Sequence, residues 1–239
     1  MSAFNPQPSR FDAAIIDLDG TMVDTIGDFA VALNRMLADL ALPAIGKDHV
    51  AAMVGKGSEH LINSVLNHAL AQAGRAQVAI KSGVDEAQAL FPAAWQSYQQ
   101  HYLAVNGQHS ALYPGVLAGL DVLRAQGLKL ACLTNKPTAF ALPLLAAKGL
   151  DGYFSQVFGG DAFARKKPDP LPLLKTCEAL GTTPARTLMV GDSSNDAQAA
   201  RAAGCRVVLV TYGYNHGAPV RAVDADGFVD SLGELATWC

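Results

Sequence analysis

The first hydrophobic stretch of the chain, residues 11–16 (FDAAII), leads directly into Asp17, Asp19 and Gly20. A short apolar run that ends at a glycine is typical of a buried strand followed by a turn. Side chains alternate along a strand, so we expect Asp17 and Asp19 on the same side of its tip. Two adjacent carboxylates repel each other unless a cation, a proton or strong donors compensate them, and a divalent metal ion is the obvious compensation. Taken alone, the pattern fits an ordinary turn-capping strand end equally well.

Between about residues 25 and 109, hydrophobic positions recur at spacings of three and four, the pattern of amphipathic helices. In the first of these helices the apolar positions are Ile26, Phe29, Ala30, Leu33, Met36, Leu37 and Leu40. Further helices are predicted at about 47–54, 58–73 and 84–105, separated by glycines. The block has hardly any strand signal, so we interpret it as a helical insert.

From about residue 113 the pattern changes to alternating strands and helices. Strands are predicted at 128–133, 156–159, 187–190, 207–211 and 228–229, and helices at 139–148, 171–180 and 196–203. Alternation of this kind predicts an α/β fold with a doubly wound parallel sheet that is covered by helices on both faces. The strand at 13–17 belongs to the same sheet, so the helical block is an excursion from it.

Composition narrows the classes of partner. The 239 residues are 50% hydrophobic, enough for a large core, and carry a formal charge of −3 with 16% charged residues. No long basic run suggests a nucleic-acid or membrane surface, so a small molecule is the expected partner. The first ten residues are polar and contain prolines, and no apolar run could span a bilayer, so a cytoplasmic location is expected. The scattered cysteines predict neither a zinc site nor disulfides; they are Cys132, Cys177, Cys205 and Cys239.

Polar residues follow four of the predicted strands. They are Asp17 and Asp19, Thr134 and Asn135, Lys166 and Lys167, and Asp192 with Asp196. Each pair could merely cap a turn or a helix. However, ligands of open parallel sheets bind beyond the carboxyl ends of the strands, and chance placement of complementary groups at all four ends is improbable. The sequence therefore predicts one site at that edge.

These residues resemble the four signature motifs of the haloacid dehalogenase superfamily, in order and over nearly the whole chain. The matching segments are DLDGT at 17–21, LTNK at 133–136, KP at 167–168, and GD at 191–192 with Asp196. The resemblance implies a Rossmann-like catalytic core, formed by residues 1–24 and 110–239, and a helical cap at 25–109 that selects the substrate.

The resemblance also implies a mechanism. Asp17 would attack phosphorus and form an aspartyl phosphate, and Asp19 would protonate the leaving group and then activate water. Mg²⁺ would be held by the Asp17 carboxylate, the Asp19 backbone carbonyl and Asp192.

The remaining motif residues would support the transferred group. Thr134, Asn135 and Lys167 would stabilise the phosphoryl group, and Asp196 would orient Lys167 or a water on the metal.

The residue at position 19 separates the activities found in this superfamily. Its dehalogenases lack an aspartate there because a departing halide needs no proton, so Asp19 favours hydrolysis of phosphate esters. A phosphonate hydrolase would need a cap lysine, for which Lys47 and Lys56 are the weak candidates. A phosphomutase remains open, whereas a silent binding protein is disfavoured because the acidic and lysine positions are all filled.

Two further segments resemble bacterial phosphoglycolate phosphatases: MVGKG at 53–57 and TYGYNHG at 211–217. Gly55 and Gly57 would let backbone N–H groups approach an anion, and Lys56 would meet a substrate carboxylate. The alternative is a plain turn with a solvated lysine. The expected partner is a small phosphorylated metabolite, with 2-phosphoglycolate preferred over a sugar phosphate.

The aromatic residues and histidines of the chain carry no comparable pattern. Trp95, Tyr98 and Tyr102 have helical spacing, which predicts packing within the cap. The histidines show no metal-ligand spacing; they are His49, His60, His68, His101, His109 and His216.

Overall fold

The structure is a computed structural model that describes residues 11–75 and 85–238. Its main sheet contains six strands in the order β5-β4-β1-β6-β7-β8, and every neighbouring pair is parallel. Numbered along the chain, the strands are β1 (Ala13–Ile16), β2 (Val23–Asp24), β3 (Ala111–Leu112), β4 (Lys129–Leu133), β5 (Gln156–Phe158), β6 (Thr187–Gly191), β7 (Arg206–Val210) and β8 (Gly227–Val229). The predicted parallel α/β sheet is confirmed.

Strand β1 lies in the middle of the sheet, between β4 and β6. Ile16 pairs with Cys132 on one side and with Val190 on the other. The residues that follow these three strands therefore emerge at one edge. The chain also reverses its direction of winding at β1, and such a switch point is where open α/β sheets bind ligands.

Alternation along the strands supplies two hydrophobic faces. All four residues of β1 are buried; Ala14 and Ile16 belong to the core on one face, and Ala13 and Ile15 to the core on the other. Helices Val116–Ala125 and Thr138–Ala147 cover the first face, and helices Leu171–Leu180 and Ser194–Ala203 cover the second.

The segment between β2 and β3 is helical and has a hydrophobic core of its own. Its described helices are Ile26–Asp39, Lys47–Met53, Ser58–Gln72 and Glu86–Val105. Residue 84, where the sequence predicts the last helix to begin, lies outside the described residues. Phe140, from the helix after β4, packs into this second core, so the two parts of the molecule share an apolar contact.

The two crossings between the sheet and the helical segment are paired with each other. Val23 pairs with Leu112 and Asp24 with Ala111, as an antiparallel ribbon. The sequence analysis missed this ribbon because two residues per strand are too few for an alternation signal. Strand ends elsewhere differ from prediction by a residue or two; Thr211, for example, lies beyond β7. No helix among the described residues has the length and apolar character needed to cross a membrane.

The first helix is tied to the returning chain by Asp28, whose carboxylate is completely buried. Gly107 N donates to Asp28 Oδ2 at 2.8 Å, and His109 N donates to Oδ1 at 2.7 Å. Gly27 permits this approach, because a Cβ there would lie 2.0 Å from the His109 carbonyl oxygen. These bonds close the helical segment at its base.

We expect Asp28→Ala to lower the free energy of unfolding by about 2–4 kcal/mol. Hydrogen bonds to a charged group contribute roughly 1.5–3 kcal/mol, and the change leaves two N–H groups without their acceptor. Urea unfolding followed by circular dichroism measures the difference. The matched control is Asp48→Ala, an exposed acid in the same segment, which should cost less than about 1 kcal/mol. Equal losses in the two variants would contradict this role for Asp28.

Candidate active site

A cavity lies at the carboxyl edge of the sheet, between the strand ends and the helical segment. All but one of the sequence-predicted site residues line it: Asp17, Asp19, Gly55, Gly57, Thr134, Asn135, Lys167, Asp192 and Asp196. The exception is Lys56. The register of β4, β1 and β6 explains the convergence, since each strand ends at the same level.

Lys167 is the electrostatic centre of the cavity. Its Nζ lies 2.9 Å from Asp17 Oδ1 and 2.7 Å from Asp196 Oδ1, and it donates to the Leu133 carbonyl oxygen at 2.9 Å. The ammonium group therefore donates hydrogen bonds to Asp196 and Leu133 and forms an ion pair with Asp17. Burial opposes the charged form, but the two carboxylates raise the pKa of Lys167 above its ordinary value. The lysine is therefore a fixed positive charge beside Asp17.

Asp196 is held by the helix that it helps to start. Its Oδ2 accepts hydrogen bonds from Ser193 Oγ at 2.8 Å and Ser193 N at 3.2 Å, and from Asp192 N at 3.3 Å. Together with Ser193 it forms a capping box, which explains why this helix begins at Ser194, two residues earlier than predicted. One oxygen of Asp196 caps the helix while the other contacts Lys167.

Asp192 fits among glycines that leave space for its carboxylate. A Cβ at Gly20 would lie 2.1 Å from Asp192 Oδ2, and one at Gly213 would lie 2.1 Å from Asp192 Cβ. Gly20 also has φ of +82°, a conformation that favours glycine. Tyr214 N donates to Asp192 Oδ2 at 2.7 Å. The glycine in the first motif thus makes room for an acid from the fourth.

The chemistry of the acidic residues fits a divalent cation. Carboxylate oxygens of Asp17, Asp192 and Asp196 lie within 4.8 Å of one another, and all three residues are buried. Burial raises the pKa of Asp17 to about 7, although Lys167 opposes the shift. Burial and the charges of Asp196 and Asp17 raise the pKa of Asp192 well above its ordinary value. Asp17 Oδ1 also receives no well-aligned hydrogen bond in this part of the structure. One lysine does not compensate this cluster, whereas a divalent cation that prefers oxygen ligands would.

Thr134 and Asn135, which follow β4, differ in what they offer to the cavity. Thr134 is buried and lines the cavity, and its Oγ1 accepts from Lys136 N at 3.2 Å. The Asn135 amide donates to the carbonyl oxygens of Gly55 at 3.1 Å and Lys167 at 2.8 Å, and it accepts from Lys167 N at 3.0 Å. Its side-chain donors are therefore engaged by the backbone, so Asn135 positions the lysine loop and does not present a free donor to the cavity.

The side chain of Asp19 faces a lysine that the sequence analysis did not select. Lys136 Nζ donates to Asp19 Oδ1 at 3.0 Å and to Oδ2 at 3.2 Å, and to the Tyr102 hydroxyl at 2.5 Å. It also lies over the rings of Phe29, at 4.5 Å, and Tyr102, at 4.6 Å. The position of Lys136 directly after Asn135 was the available signal. The helical spacing of Tyr102 indicated packing only.

The segment at 211–217 joins the sheet to the crossings and to the helical segment through alternate side chains. The Tyr212 hydroxyl donates to the Thr21 carbonyl oxygen at 2.9 Å, and the Tyr214 hydroxyl lies 2.7 Å from Asp24 Oδ1. His216 Nδ1 lies 2.9 Å from the Val54 carbonyl oxygen. The resemblance singled out this segment, but the sequence pattern carries no signal for these side-chain contacts.

The carbonyl oxygen of Gly55 is the point where the helical segment meets the sheet edge. It accepts from Asn135 Nδ2 and from Asn195 Nδ2, both at 3.1 Å. A Cβ at Gly55 would lie 2.7 Å from His216 Cε1, and φ at this residue is +111°. Only glycine fits this close approach without strain.

Lys56 does not take the position that the sequence analysis expected. It is exposed and is not among the residues that line the cavity. The turn has positive φ at both flanking glycines, Gly55 and Gly57, and presents the Gly55 carbonyl oxygen to the sheet edge while the lysine side chain lies outside the cavity. A direct contact between Lys56 and a ligand in the closed cavity is therefore not supported by this arrangement.

Fold and site together define an α/β enzyme with a buried acidic centre at the switch point of its sheet. The haloacid dehalogenase-like hydrolase family model matches residues 14–210. The chain is 42% identical over 229 residues to a phosphoglycolate phosphatase of Thiobacillus denitrificans, covering 96% of each protein. It is 45% identical over 223 residues to the "Phosphoglycolate phosphatase, plasmid" of Cupriavidus necator, covering 93% of this chain and 90% of that protein.

A solved structure is similar over the same extent. The crystal structure of a predicted phosphoglycolate phosphatase from Haemophilus somnus superposes with a TM-score of 0.88 at 34% identity, covering 96% of this chain and 98% of that one. The chain belongs to the haloacid dehalogenase-like hydrolase family. It is a hydrolase of the phosphoric monoester class.

Crowding of the acidic residues generates a stability prediction. In EDTA at pH 8 we expect Asp192→Asn to raise the melting temperature by roughly 3–6 °C, because it removes a buried like charge and about 1 kcal/mol corresponds to roughly 2–4 °C at this size. Added Mg²⁺ should then stabilise the wild type and have little effect on the variant.

Differential scanning fluorimetry with and without Mg²⁺ makes the comparison. Asp151→Asn, which changes an exposed acid that lies outside the cavity, is the control. It should leave unchanged both the melting temperature in EDTA and the increase caused by Mg²⁺. A metal-free Asp192→Asn protein that melts below the wild type would contradict the repulsion argument.

Proposed function

We propose that this hydrolase removes the phosphate group from 2-phosphoglycolate with the help of Mg²⁺, through a phosphorylated Asp17. The observation that carries the proposal is the position of Asp17, which is buried beside Lys167 and Asp192 in a cavity closed by the helical segment. The relatives named phosphoglycolate phosphatase support the choice of ester.

In this proposal the Asp17 carboxylate, the Asp19 backbone carbonyl and Asp192 hold Mg²⁺. When bound, the ion neutralises charge on the acids and on the phosphoryl oxygens. The raised pKa values of Asp17 and Asp192 support this assignment, since burial and the neighbouring carboxylates oppose the charged forms of both side chains, an effect that a bound cation would offset. Asp196 is better suited to holding Lys167, because its second oxygen is engaged by Ser193.

The reaction divides into two displacements at phosphorus. Asp17 attacks, the bond between phosphorus and the ester oxygen breaks, and Asp19 gives its proton to that oxygen. Water then attacks the phosphorus of the aspartyl phosphate, the bond between phosphorus and the Asp17 oxygen breaks, inorganic phosphate leaves, and Asp19 takes up the proton that the water loses. The two side chains face different groups. Asp17 lies within 4.8 Å of Asp192 and Asp196 and contacts Lys167, whereas the side chain of Asp19 contacts Lys136.

The phosphoryl group would be held largely by positive charge and by hydroxyl donors. Lys167 and Thr134 line the cavity beside Asp17 and can reach phosphoryl oxygens. Asn135 acts one step further away, because its hydrogen bonds to the Lys167 backbone hold the lysine in place.

We further propose that residues 25–109 form the cap domain and that 1–24 and 110–239 form the catalytic core. The separate hydrophobic core of the helical segment supports this division. Apolar side chains from the segment, Phe29, Val54 and Leu61, close the cavity over the acids. A closed site of this kind suits a short ester and excludes water from the reacting groups.

The proposal is tested on a panel of phosphate esters. Purified protein with Mg²⁺ should release inorganic phosphate from 2-phosphoglycolate with a higher kcat/KM than from glucose 6-phosphate or p-nitrophenyl phosphate. EDTA should lower the rate at least about a hundred-fold, because the buried acids repel a phosphate dianion without the cation.

Asp17→Asn protein, purified in parallel, controls for contaminating phosphatases. Full activity in EDTA would reject the role of the metal. A clear preference for the sugar phosphate would reject the substrate while leaving the phosphatase activity intact.

The two aspartates of the first motif should differ when each becomes asparagine. Asp17→Asn should lower kcat for every ester by at least about a thousand-fold, because an amide is a poor nucleophile. Asp19→Asn should lose about 10²- to 10⁴-fold on 2-phosphoglycolate but much less in the first half-reaction of p-nitrophenyl phosphate, whose leaving group needs no proton.

Steady-state and burst kinetics with both substrates separate the two effects. Equal losses by Asp19→Asn on the two esters would contradict its role as the acid. Near-normal turnover by Asp17→Asn would contradict the covalent route.

A further inference from the structure

The cavity contains a second buried lysine, Lys136, which contacts Asp19 and has no assigned part in binding the substrate. The side chain of Lys136 is 2% exposed, and its ammonium contacts the carboxylate of Asp19. Among the described residues that line the cavity, Lys136 and Lys167 are the lysines, and no arginine lines it. Lys167 is engaged by Asp17, Asp196 and a backbone carbonyl. The proposed function assigns Lys167 to the phosphoryl group, so Lys136 is the other lysine of the cavity lining that a second anionic group of a substrate can meet.

Over its described ranges, 25–75 and 85–109, the helical segment supplies no charged side chain to the cavity lining. Its lining residues are Phe29, Val54, Gly55, Gly57, Ser58 and Leu61, all uncharged. Lys56, the lysine that the sequence favoured for this task, is exposed and outside the cavity. These residues therefore offer no cation to a substrate carboxylate in the cavity.

The position of Lys136 relative to Asp19 matches the shape of a short acid ester. A general acid works within roughly 2.6–3.2 Å of the atom that it protonates, and Lys136 Nζ is 3.0 Å from Asp19 Oδ1. The ammonium is therefore within roughly 6 Å of any ester oxygen that Asp19 can protonate. In 2-phosphoglycolate a single methylene separates that oxygen from the carboxylate.

The surroundings of Lys136 strengthen its effect on charge. Its ammonium lies over the rings of Phe29 and Tyr102, and the Tyr102 hydroxyl accepts one of its hydrogen bonds. Aromatic walls keep water away, so an ion pair here is screened less than it would be on the surface. The same contacts fix the long side chain in one conformation, which lowers the entropic cost of binding an anion.

We propose that Lys136 is the specificity-determining residue that binds the carboxylate of the substrate. The inference rests on the proposed function and adds the residue that distinguishes an acidic ester from a neutral one. Two of the Lys136 donors are directed at the two oxygens of Asp19. When the substrate enters, one of these donors turns to its carboxylate and the other stays on Asp19, which brings the acid and the recognised group to the same end of the ester.

The test uses two esters that differ only in the group to be recognised. 2-Phosphoglycolate and 2-hydroxyethyl phosphate share the phosphate, the ester oxygen and the methylene beside it, but only the first has a carboxylate. Lys136→Met keeps the apolar stem against the aromatic rings and removes the charge. Lys136→Gln keeps a hydrogen-bond donor and removes the charge, so it serves if the methionine variant folds poorly. Lys175→Met, at an exposed lysine on the helix Leu171–Leu180, is the control.

For both Lys136 variants we expect the ratio of kcat/KM for 2-phosphoglycolate to that for 2-hydroxyethyl phosphate to fall by roughly ten- to a hundred-fold, the usual effect of one charge-assisted hydrogen bond. The fall should appear mainly in KM for 2-phosphoglycolate. A lysine that merely positions Asp19 would instead lower kcat for both esters and leave the ratio unchanged. The control should keep the wild-type ratio within about two-fold.

The outcomes separate the role of Lys136 from the choice of 2-phosphoglycolate as the substrate. An unchanged ratio in folded Lys136 variants, with a wild type that prefers 2-phosphoglycolate, overturns the role of Lys136 and leaves the proposed function in place. A wild type that does not distinguish the two esters overturns the proposed substrate itself. A selective loss on 2-phosphoglycolate supports both.

Discussion

The contact of one buried lysine with two aspartates is the constraint on which the site depends. Lys167 reaches Asp17 after β1 and Asp196 in the helix after β6, and its third donor goes to the end of β4. Burying an unpaired ammonium group would cost on the order of several kcal/mol of folding free energy. The lysine is therefore tolerated here only because all three elements place an acceptor beside it. The register of the parallel sheet supplies that placement. The strand order therefore determines the electrostatics of the site, because it brings together the groups that compensate the charge of the lysine.

The glycines around the acids are also required for this arrangement. Gly20 and Gly213 stand where a side chain would collide with Asp192, and Gly191 stands where one would collide with Asp196. The space that they leave allows three carboxylates to approach closely enough to need a cation. Carboxylates packed this closely without a counter-ion lower the stability of the folded protein, and a bound divalent cation would restore it.

The sequence predicted the parts of the molecule that repeat a simple pattern. Alternation in β1 and the strand–helix alternation after residue 113 defined the sheet, and the ends of the strands defined the acidic centre, because parallel strands bring their carboxyl ends to one edge. The contacts of Lys136 with Phe29 and Tyr102 could not be predicted, since they join residues far apart in sequence through packing with no periodic signal. Lys56 shows a case in which a recognised motif led to a wrong side-chain position. A motif between glycines indicates a close backbone approach, but not whether the carbonyl or the side chain makes it.

The pairing of the two crossings has a mechanical consequence. Because β2 and β3 are hydrogen-bonded to each other, the connections between sheet and helical segment form one two-stranded strap and not two independent tethers. Such a strap bends readily across its flat face and resists twisting and shear, since those motions would strain the ladder between its strands. Asp28 clamps the strap from the helical side, and Tyr214 from the sheet side. Any movement of the helical segment against the sheet would therefore act on both connections together, and it would shift Phe29 and the Gly55 carbonyl relative to the acids.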